Sequence, residues 1–209
     1  MRNFVHIKTS KQSGSGVLMA CDIDFDGLME KDEKSYIIFT NYHVIQDIKQ
    51  DSKDKKKNIK LTIKDKKCEV IDQRFIQHIY VESGRNYDNA SDIAALLVII
   101  KDCCNILCDN AVFMGKHENH VIETIGYPHV FQTDWINQDL CISGRIEKYT
   151  EDGIGLYKIM DDYHSYSNIS DKTLMEGVSG APLYMEHEGK VYLVGINESL
   201  CNIGDGKNP

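Results

Sequence analysis

The feature that most constrains this 209-residue sequence is a succession of short apolar runs, rich in β-branched and aromatic side chains, set apart by clusters of Gly, Asn, Asp and Ser. Gly16 to Ala20, Tyr36 to Thr40, Ile59 to Ile63, Glu69 to Ile71 and Ile93 to Ile100 form the first series. Val121 to Ile125, Gly155 to Met160 and Val191 to Ile196 form the second. Such side chains suit a pleated, half-buried surface, and the intervening residues favour turns. A 3.6-residue apolar period sustained over a dozen residues is almost absent. Only Asn41 to Lys49, where Val44, Ile45 and Ile48 share a face, predicts a short helix. The pattern predicts an all-β sandwich or barrel.

The polar stretch Asp109 to Asn119, with Gly115 inside it, leaves about half of the predicted strands on each side. The expected units are residues 1–112 and 113–209. Halves of that size would each be marginal alone and are expected to pack together.

Composition narrows the partners. The formal net charge of −8 gives no electrostatic support for binding a phosphate backbone, so no nucleic-acid partner is expected. The one basic run, Lys53 to Lys57, is mixed with Asp51 and Asp54 and reads as a solvated loop. No stretch approaches the ~18 consecutive apolar residues of a membrane span, and no membrane partner is expected. The opening Met-Arg-Asn-Phe-Val-His-Ile-Lys carries no apolar leader and predicts no secretory signal. Seven cysteines cannot all pair within the chain, and Cys103 and Cys104 are adjacent. Reduced thiols in a cytoplasmic protein are the expectation.

Three segments carry residues able to do chemistry: Thr40-Asn41-Tyr42-His43-Val44, Ser91-Asp92-Ile93-Ala94-Ala95-Leu96, and Glu176-Gly177-Val178-Ser179-Gly180-Ala181-Pro182. Alone, each has a plainer role: a histidine packed beside a strand, an Asp capping a turn, a Ser in a tight Gly-rich turn. Together they make a different kind of sense. A serine hydroxyl is a poor nucleophile until a base takes its proton. An imidazole can accept that proton and later return it, and a buried carboxylate fixes its tautomer. Glycines flanking the serine let backbone N–H groups converge on a developing oxyanion. The candidates for that pair of donors are the N–H groups of Gly177 and Ser179.

These segments resemble those of the chymotrypsin/trypsin-like serine peptidases. Thr40-Asn41-Tyr42-His43 is similar to that family's Thr-Ala-x-His, Asp92-Ile93-Ala94-Ala95-Leu96 to its Asp-Ile-Ala-Leu, and Gly177-Val178-Ser179-Gly180-Ala181-Pro182 to its Gly-x-Ser-Gly-x-Pro. The order His43, Asp92, Ser179, at intervals of roughly 50 and 90 residues, also matches. Gly14-Ser15-Gly16-Val17 and Ile125-Gly126-Tyr127-Pro128 are weaker echoes. The resemblance implies two packed six-stranded β-barrels with the active site in the cleft between them. It implies an endopeptidase acting through an acyl-enzyme on Ser179, with His43 as general base and acid and Asp92 orienting it. Protein or peptide substrate and no cofactor follow. The alternative is a latent or silent module that binds peptides within a larger regulatory protein.

The departures from that family are informative. Val178 stands where trypsin has an Asp that pairs with a newly cut N-terminus, so that activating ion pair is not available. Val44 replaces the cysteine of many secreted members, and both features look more like the intracellular or bacterial branches. By resemblance, substrate is expected along Thr173, Leu174, Asn197, Glu198 and Ser199, with no Asp at the pocket base to favour Arg or Lys. Glu176 and Glu198 are acidic residues expected near the cleft. Beyond Ile196 the chain is shorter than the family fold, which predicts a domain of a longer protein, fused to or regulated by a further domain, or an unusually short member. Cys103, Cys104, Cys108, His117 and His120 lack the spacing of a tetrahedral site and read as thiols and surface histidines, with no metal.

Overall fold

The computed structural model describes residues 4–9, 11–20, 33–46, 59–63, 73–83, 92–101, 111–112, 115–116, 118–128, 140–149, 155–159 and 176–198. Their order is β1 (Phe4–Thr9), β2 (Ser13–Ala20), β3 (Glu33–Thr40), α1 (Tyr42–Ile45), β4 (Ile59–Ile63), β5 (Gln73–Ser83) and β6 (Asp92–Lys101). Then come β7 (Ala111–Val112), β8 (Val121–Gly126), β9 (Leu140–Tyr149), β10 (Gly155–Ile159), β11 (Pro182–His187) and β12 (Lys190–Ile196). The protein is predominantly β, as the turn-punctuated sequence predicts.

The strands form two six-stranded sheets. The first runs β4-β1-β2-β3-β6-β5 and the second β10-β9-β8-β11-β12-β7. Neighbours are antiparallel except β7, which lies parallel to β12 with Tyr192 opposite Ala111 and Leu193 opposite Val112. Among the described strands both sheets are open, with no pairing between β4 and β5 or between β10 and β7. The second sheet thus begins at Ala111, inside the polar stretch that divides the sequence.

Strands rich in unbroken apolar residues were legible, whereas β1, β5, β7, β9 and β11 were not anticipated. The reason is plain in β9. Leu140, Ile142, Gly144 and Ile146 are buried while Cys141, Arg145 and Glu147 are exposed, so the strand alternates instead of forming an apolar run. A sheet with one wet face needs nothing more. The β11–β12 turn is two residues, Glu188 and Gly189, both at positive φ (51° and 72°). That geometry matches the right-handed twist of the strands it joins. The predicted helix is a single turn over Tyr42–Ile45, and residues 47–49 of the expected span lie outside those described. The predicted strand Glu69 to Ile71 also lies outside them.

The first sheet encloses Val5, Ile7, Leu18, Ile38, Ala94, Leu96 and Val98, with Val44 and Ile45 of α1 closing over them, all fully buried. The second has its own cluster of Ile122, Ile146 and Met185, flanked by Tyr149, Tyr157, Leu183 and Val194. A third cluster joins the sheets: Val17 packs with Tyr184 and Leu193, flanked by Met19, Phe39 and Ile196. The buried Tyr127, just past β8, lies against Phe4 and His6 of β1, with ring centroids 5.3 and 5.1 Å apart. The two sheets therefore share a core along β1, β2, β8, β11 and β12.

Truncating a side chain sealed in the first core removes its contacts and leaves a hole. Leu18→Ala is expected to lower the unfolding free energy by about 2–5 kcal/mol, read from urea denaturation; a loss below 1 kcal/mol would show that the site relaxes around the gap.

Candidate functional site

β3 pairs with β2 only from Ala20 back to Val17, opposite Tyr36 to Phe39. At Thr40 the chain leaves the sheet and enters α1, which carries His43. Asn41 precedes the helix in extended geometry (φ −79°, ψ 147°) and makes no side-chain cap. Its amide is used elsewhere, donating from Nδ2 to Asp92 O at 2.8 Å.

Asp92 opens β6, the strand alongside β3. Its carboxylate takes two hydrogen bonds from one residue. The His43 backbone N–H donates to Oδ1 at 2.9 Å, and His43 Nδ1–H donates to Oδ2. With Nδ1 committed, Nε2 is left facing away from the carboxylate. The His43 side chain is 40% exposed and that of Asp92 is 22% exposed, so the base is the more solvent-accessible member of the pair. Burial is the strongest single influence on the Asp92 carboxyl and pushes its pKa up. The His43 hydrogen bonds, the His43 charge and the Tyr42 N–H together outweigh it, and the carboxyl ends below the ordinary carboxylate range.

The edge of β2 that β3 vacates is taken by the turn before β11. Ser15 N–H donates to Ser179 O at 2.8 Å, as a strand neighbour would. Two glycines make this approach possible. A Cβ on Gly14 would lie 2.6 Å from Val44 Cγ2 of α1 and 3.1 Å from Ser179 O. A Cβ on Gly180, whose φ is +81°, would lie 2.2 Å from Ser15 O and 2.4 Å from Thr40 Oγ1. Thus Gly180 rests against Thr40 and Asn41, the two residues that lead into α1, and Gly14 lies between Val44 of α1 and the carbonyl of the half-buried Ser179. Among the described residues no hydrogen bond links the Ser179 hydroxyl to the His43 imidazole.

Gly177 has φ +90°. Val178 is fully buried, and it and Ala181 both lie against Gly126. Val178 O accepts from Ala181 N–H at 2.9 Å, and Gly180 N–H donates to Asn197 O at 2.7 Å. Neither Gly177 N–H nor Ser179 N–H donates to an acceptor among the described residues.

Of the residues expected to meet substrate, Asn197 is 3% exposed. Its backbone N–H donates to Ala181 O at 2.7 Å. Its Oδ1 accepts from Tyr157 OH at 2.7 Å, and its Nδ2 reaches Val178 O at 3.5 Å. Burial pushes the Tyr157 hydroxyl up to about 12. Glu198 is half-buried; burial pushes its pKa up, the Asp92 charge adds to this, and His43 opposes it. Glu198 is therefore within electrostatic reach of the His43–Asp92 pair, whereas Glu176 is exposed. Thr173, Leu174 and Ser199 lie outside the described residues, as do Cys103, Cys104, Cys108 and His117. His120 is exposed, with Nδ1 directed at Glu118 O at 3.1 Å. Sequence reading missed Tyr157 and the hydrogen-bonding part of Ser15, which had entered only as part of Gly14-Ser15-Gly16-Val17.

No protein-family model matches the sequence, and no curated protein matches it. Among solved structures, the chain is similar to a serine endoprotease from Yersinia pestis, with TM-score 0.54 and 17% identity over 93% of this chain and 53% of that one. It is similar to a Glu endopeptidase solved in complex with MPD, with TM-score 0.53 and 15% identity over 96% of this chain and 80% of that one. It is also similar to Deg5, with TM-score 0.50 and 18% identity over 94% and 78%. The chain spans about half the length of the Yersinia structure. At these identities the likeness is one of fold, a trypsin-like β fold shared with a serine endoprotease and a Glu endopeptidase.

A depressed carboxyl pKa stabilises the fold above the ordinary carboxylate range, and that stability is lost as pH falls through the lowered folded value. The stability difference between wild type and Asp92→Asn is therefore expected to be largest at neutral pH and to shrink as pH falls through and below the ordinary carboxylate range. Denaturant titrations at each pH read it; a constant difference would mean that the carboxylate is not favoured by folding. Gly180→Ala is expected to lose about 1–3 kcal/mol from its positive φ alone, and more from the blocked approach to Ser15 O, by the same denaturation measurement.

Proposed function

We propose that this chain is a serine endopeptidase in which Ser179 is the nucleophile, His43 the general base and acid, and Asp92 the residue that orients His43. The observation that carries this reading is the double hold of Asp92 on His43, through the backbone N–H and Nδ1. That hold selects the tautomer with Nε2 as the proton acceptor. The placement of the Ser179 turn against Thr40 and Asn41, the residues that lead to His43, supports the same assignment.

The proposed reaction runs in two halves. Ser179 Oγ bonds to the scissile carbonyl carbon while its proton passes to His43 Nε2. The carbonyl oxygen becomes an oxyanion, received by the otherwise uncommitted N–H groups of Gly177 and Ser179. The C–N bond then breaks, and the amine leaves with the proton from Nε2. Water, deprotonated by the same nitrogen, attacks the acyl-enzyme, and the peptide carboxylic acid departs as Ser179 regains its proton. Throughout, the Asp92 carboxylate stabilises the imidazolium without itself being protonated. The substrates in this reading are peptides or proteins, with the face around Glu198 next to the reacting bond.

A second reading is a latent or silent module of the same fold that binds peptides in the cleft. One observation favours it: the Ser179 hydroxyl is not hydrogen-bonded to His43 among the described residues. Such bonds often tighten only when substrate is bound, so the same resting geometry is also compatible with the first reading.

A fluorophosphonate probe separates them. Wild type is expected to be labelled, Ser179→Ala is expected not to be, and the two should unfold at nearly the same denaturant concentration. A folded wild type that resists the probe would favour the silent or latent module.

A further inference from the structure

Ser15 lies on β2 with no exposed surface, and each of its hydrogen-bonding groups is used. Its N–H donates to Ser179 O at 2.8 Å, and its C=O accepts from Thr40 Oγ1 at 2.7 Å. Its hydroxyl lies 2.9 Å from Gly177 O and 2.9 Å from Tyr127 N. The Tyr127 N–H is a donor only, so Ser15 Oγ must accept there. The single hydroxyl proton is then directed to Gly177 O. One residue of the first sheet thereby holds the carbonyls on both sides of Val178 and ties them to the second sheet at Tyr127.

Those two carbonyls belong to Gly177 and Ser179, the residues whose N–H groups receive the oxyanion in the proposed function. Gly177, at φ +90°, is the residue where the turn is easiest to rearrange, because glycine crosses between backbone regions at little cost. Val178 is buried and uncharged, so no ion pair at that position secures the turn.

We propose that Ser15 is a positioning residue: its hydroxyl, delivered from the first sheet to Gly177 O, keeps the two oxyanion donors aimed into the cleft without processing of the N-terminus. The inference rests on the reading of Ser179 as the nucleophile. It adds the part that a chain with Val178 needs. From the opposite side the turn is held by Asn197, whose C=O accepts from Gly180 N–H and whose N–H donates to Ala181 O. That contact fixes the exit of the turn, and Ser15 fixes its centre.

The test uses the full chain with Ser15→Ala, Ser15→Cys and, as a control for lost stability, Leu18→Ala. The second-order rate of fluorophosphonate labelling is measured with each protein folded. Backbone amide NMR signals of Gly177 and Ser179 are recorded beside those of Ile122 and Ile142. Ser15→Ala is expected to label about 10²-fold more slowly, the order of loss when one oxyanion donor is removed. Its Gly177 and Ser179 signals are expected to shift, while the Ile122 and Ile142 signals stay in place. Leu18→Ala is expected to keep the wild-type rate. Ser15→Cys, which keeps the shape but donates weakly, is expected to lose about tenfold, roughly the net worth of one hydrogen bond; it decides the question if Ser15→Ala does not fold. Labelling within twofold of wild type, with unmoved Gly177 and Ser179 signals, would overturn the proposal. A wild type that does not label, together with shifted turn signals in Ser15→Ala, would instead refute the nucleophile reading and leave the clamp standing.

Discussion

The hydrogen bond from Ser15 N–H to Ser179 O is the contact on which the arrangement of this molecule turns. A strand edge left unpaired in a buried place is costly, because each of its N–H and C=O groups needs a partner. β2 loses β3 at Val17, since β3 leaves the sheet to form α1. The partner that replaces it comes from the far end of the chain, in the turn between Gly177 and Gly180. Filling that edge joins two sheets that are otherwise built from separate stretches of sequence. The same event sets the Ser179 turn beside the residue that leads to His43.

Packing and polar satisfaction act together at this junction. Val17, Tyr184 and Leu193 supply the apolar contact between the sheets, and Tyr127 closes against Phe4 and His6. Apolar packing alone tolerates small slides of one sheet on the other, because it has no direction. The hydrogen bonds of Ser15, Thr40 and Asn197 are directional and fix the register. Gly14 and Gly180 are small for this reason: at both positions a Cβ would displace the backbone or the helix that must come close.

The electrostatics follow from the same geometry. Asp92 is partly buried, which alone would favour its neutral form, but it receives two donors from His43 and stays on the acid side of the ordinary range. Glu198 feels the same burial without such donors and moves the other way, with the Asp92 charge adding to the effect. Two carboxyl groups in one region are thus driven apart by whether N–H groups reach them. His43 binds one of them and only partly offsets the other.

The all-β class was legible in the β-branched runs and turn clusters, because a sheet demands such side chains wherever both faces are covered. The alternating strands, β9 above all, were hidden by their exposed residues and became visible only as one-sided members of a sheet. His43, Asp92 and Ser179 stood out through their neighbours: an apolar strand before the histidine, a buried strand after the aspartate, glycines about the serine. The pairing of His43 with Asp92 is a tertiary fact, made by β3 and β6 lying side by side. Nothing in the composition near Ser15 or Tyr157 marks them, since a serine between glycines and a tyrosine in a short strand have many uses. The sequence by itself determined the all-β class, the strands that are unbroken apolar runs, and which residue types are present for acid–base and nucleophilic chemistry, because those depend on local pattern. Only the tertiary structure decided which backbone edge the Ser179 turn fills, and which hydroxyl holds it, because hydrogen bonds between residues 15 and 177 exist only once the two sheets have met.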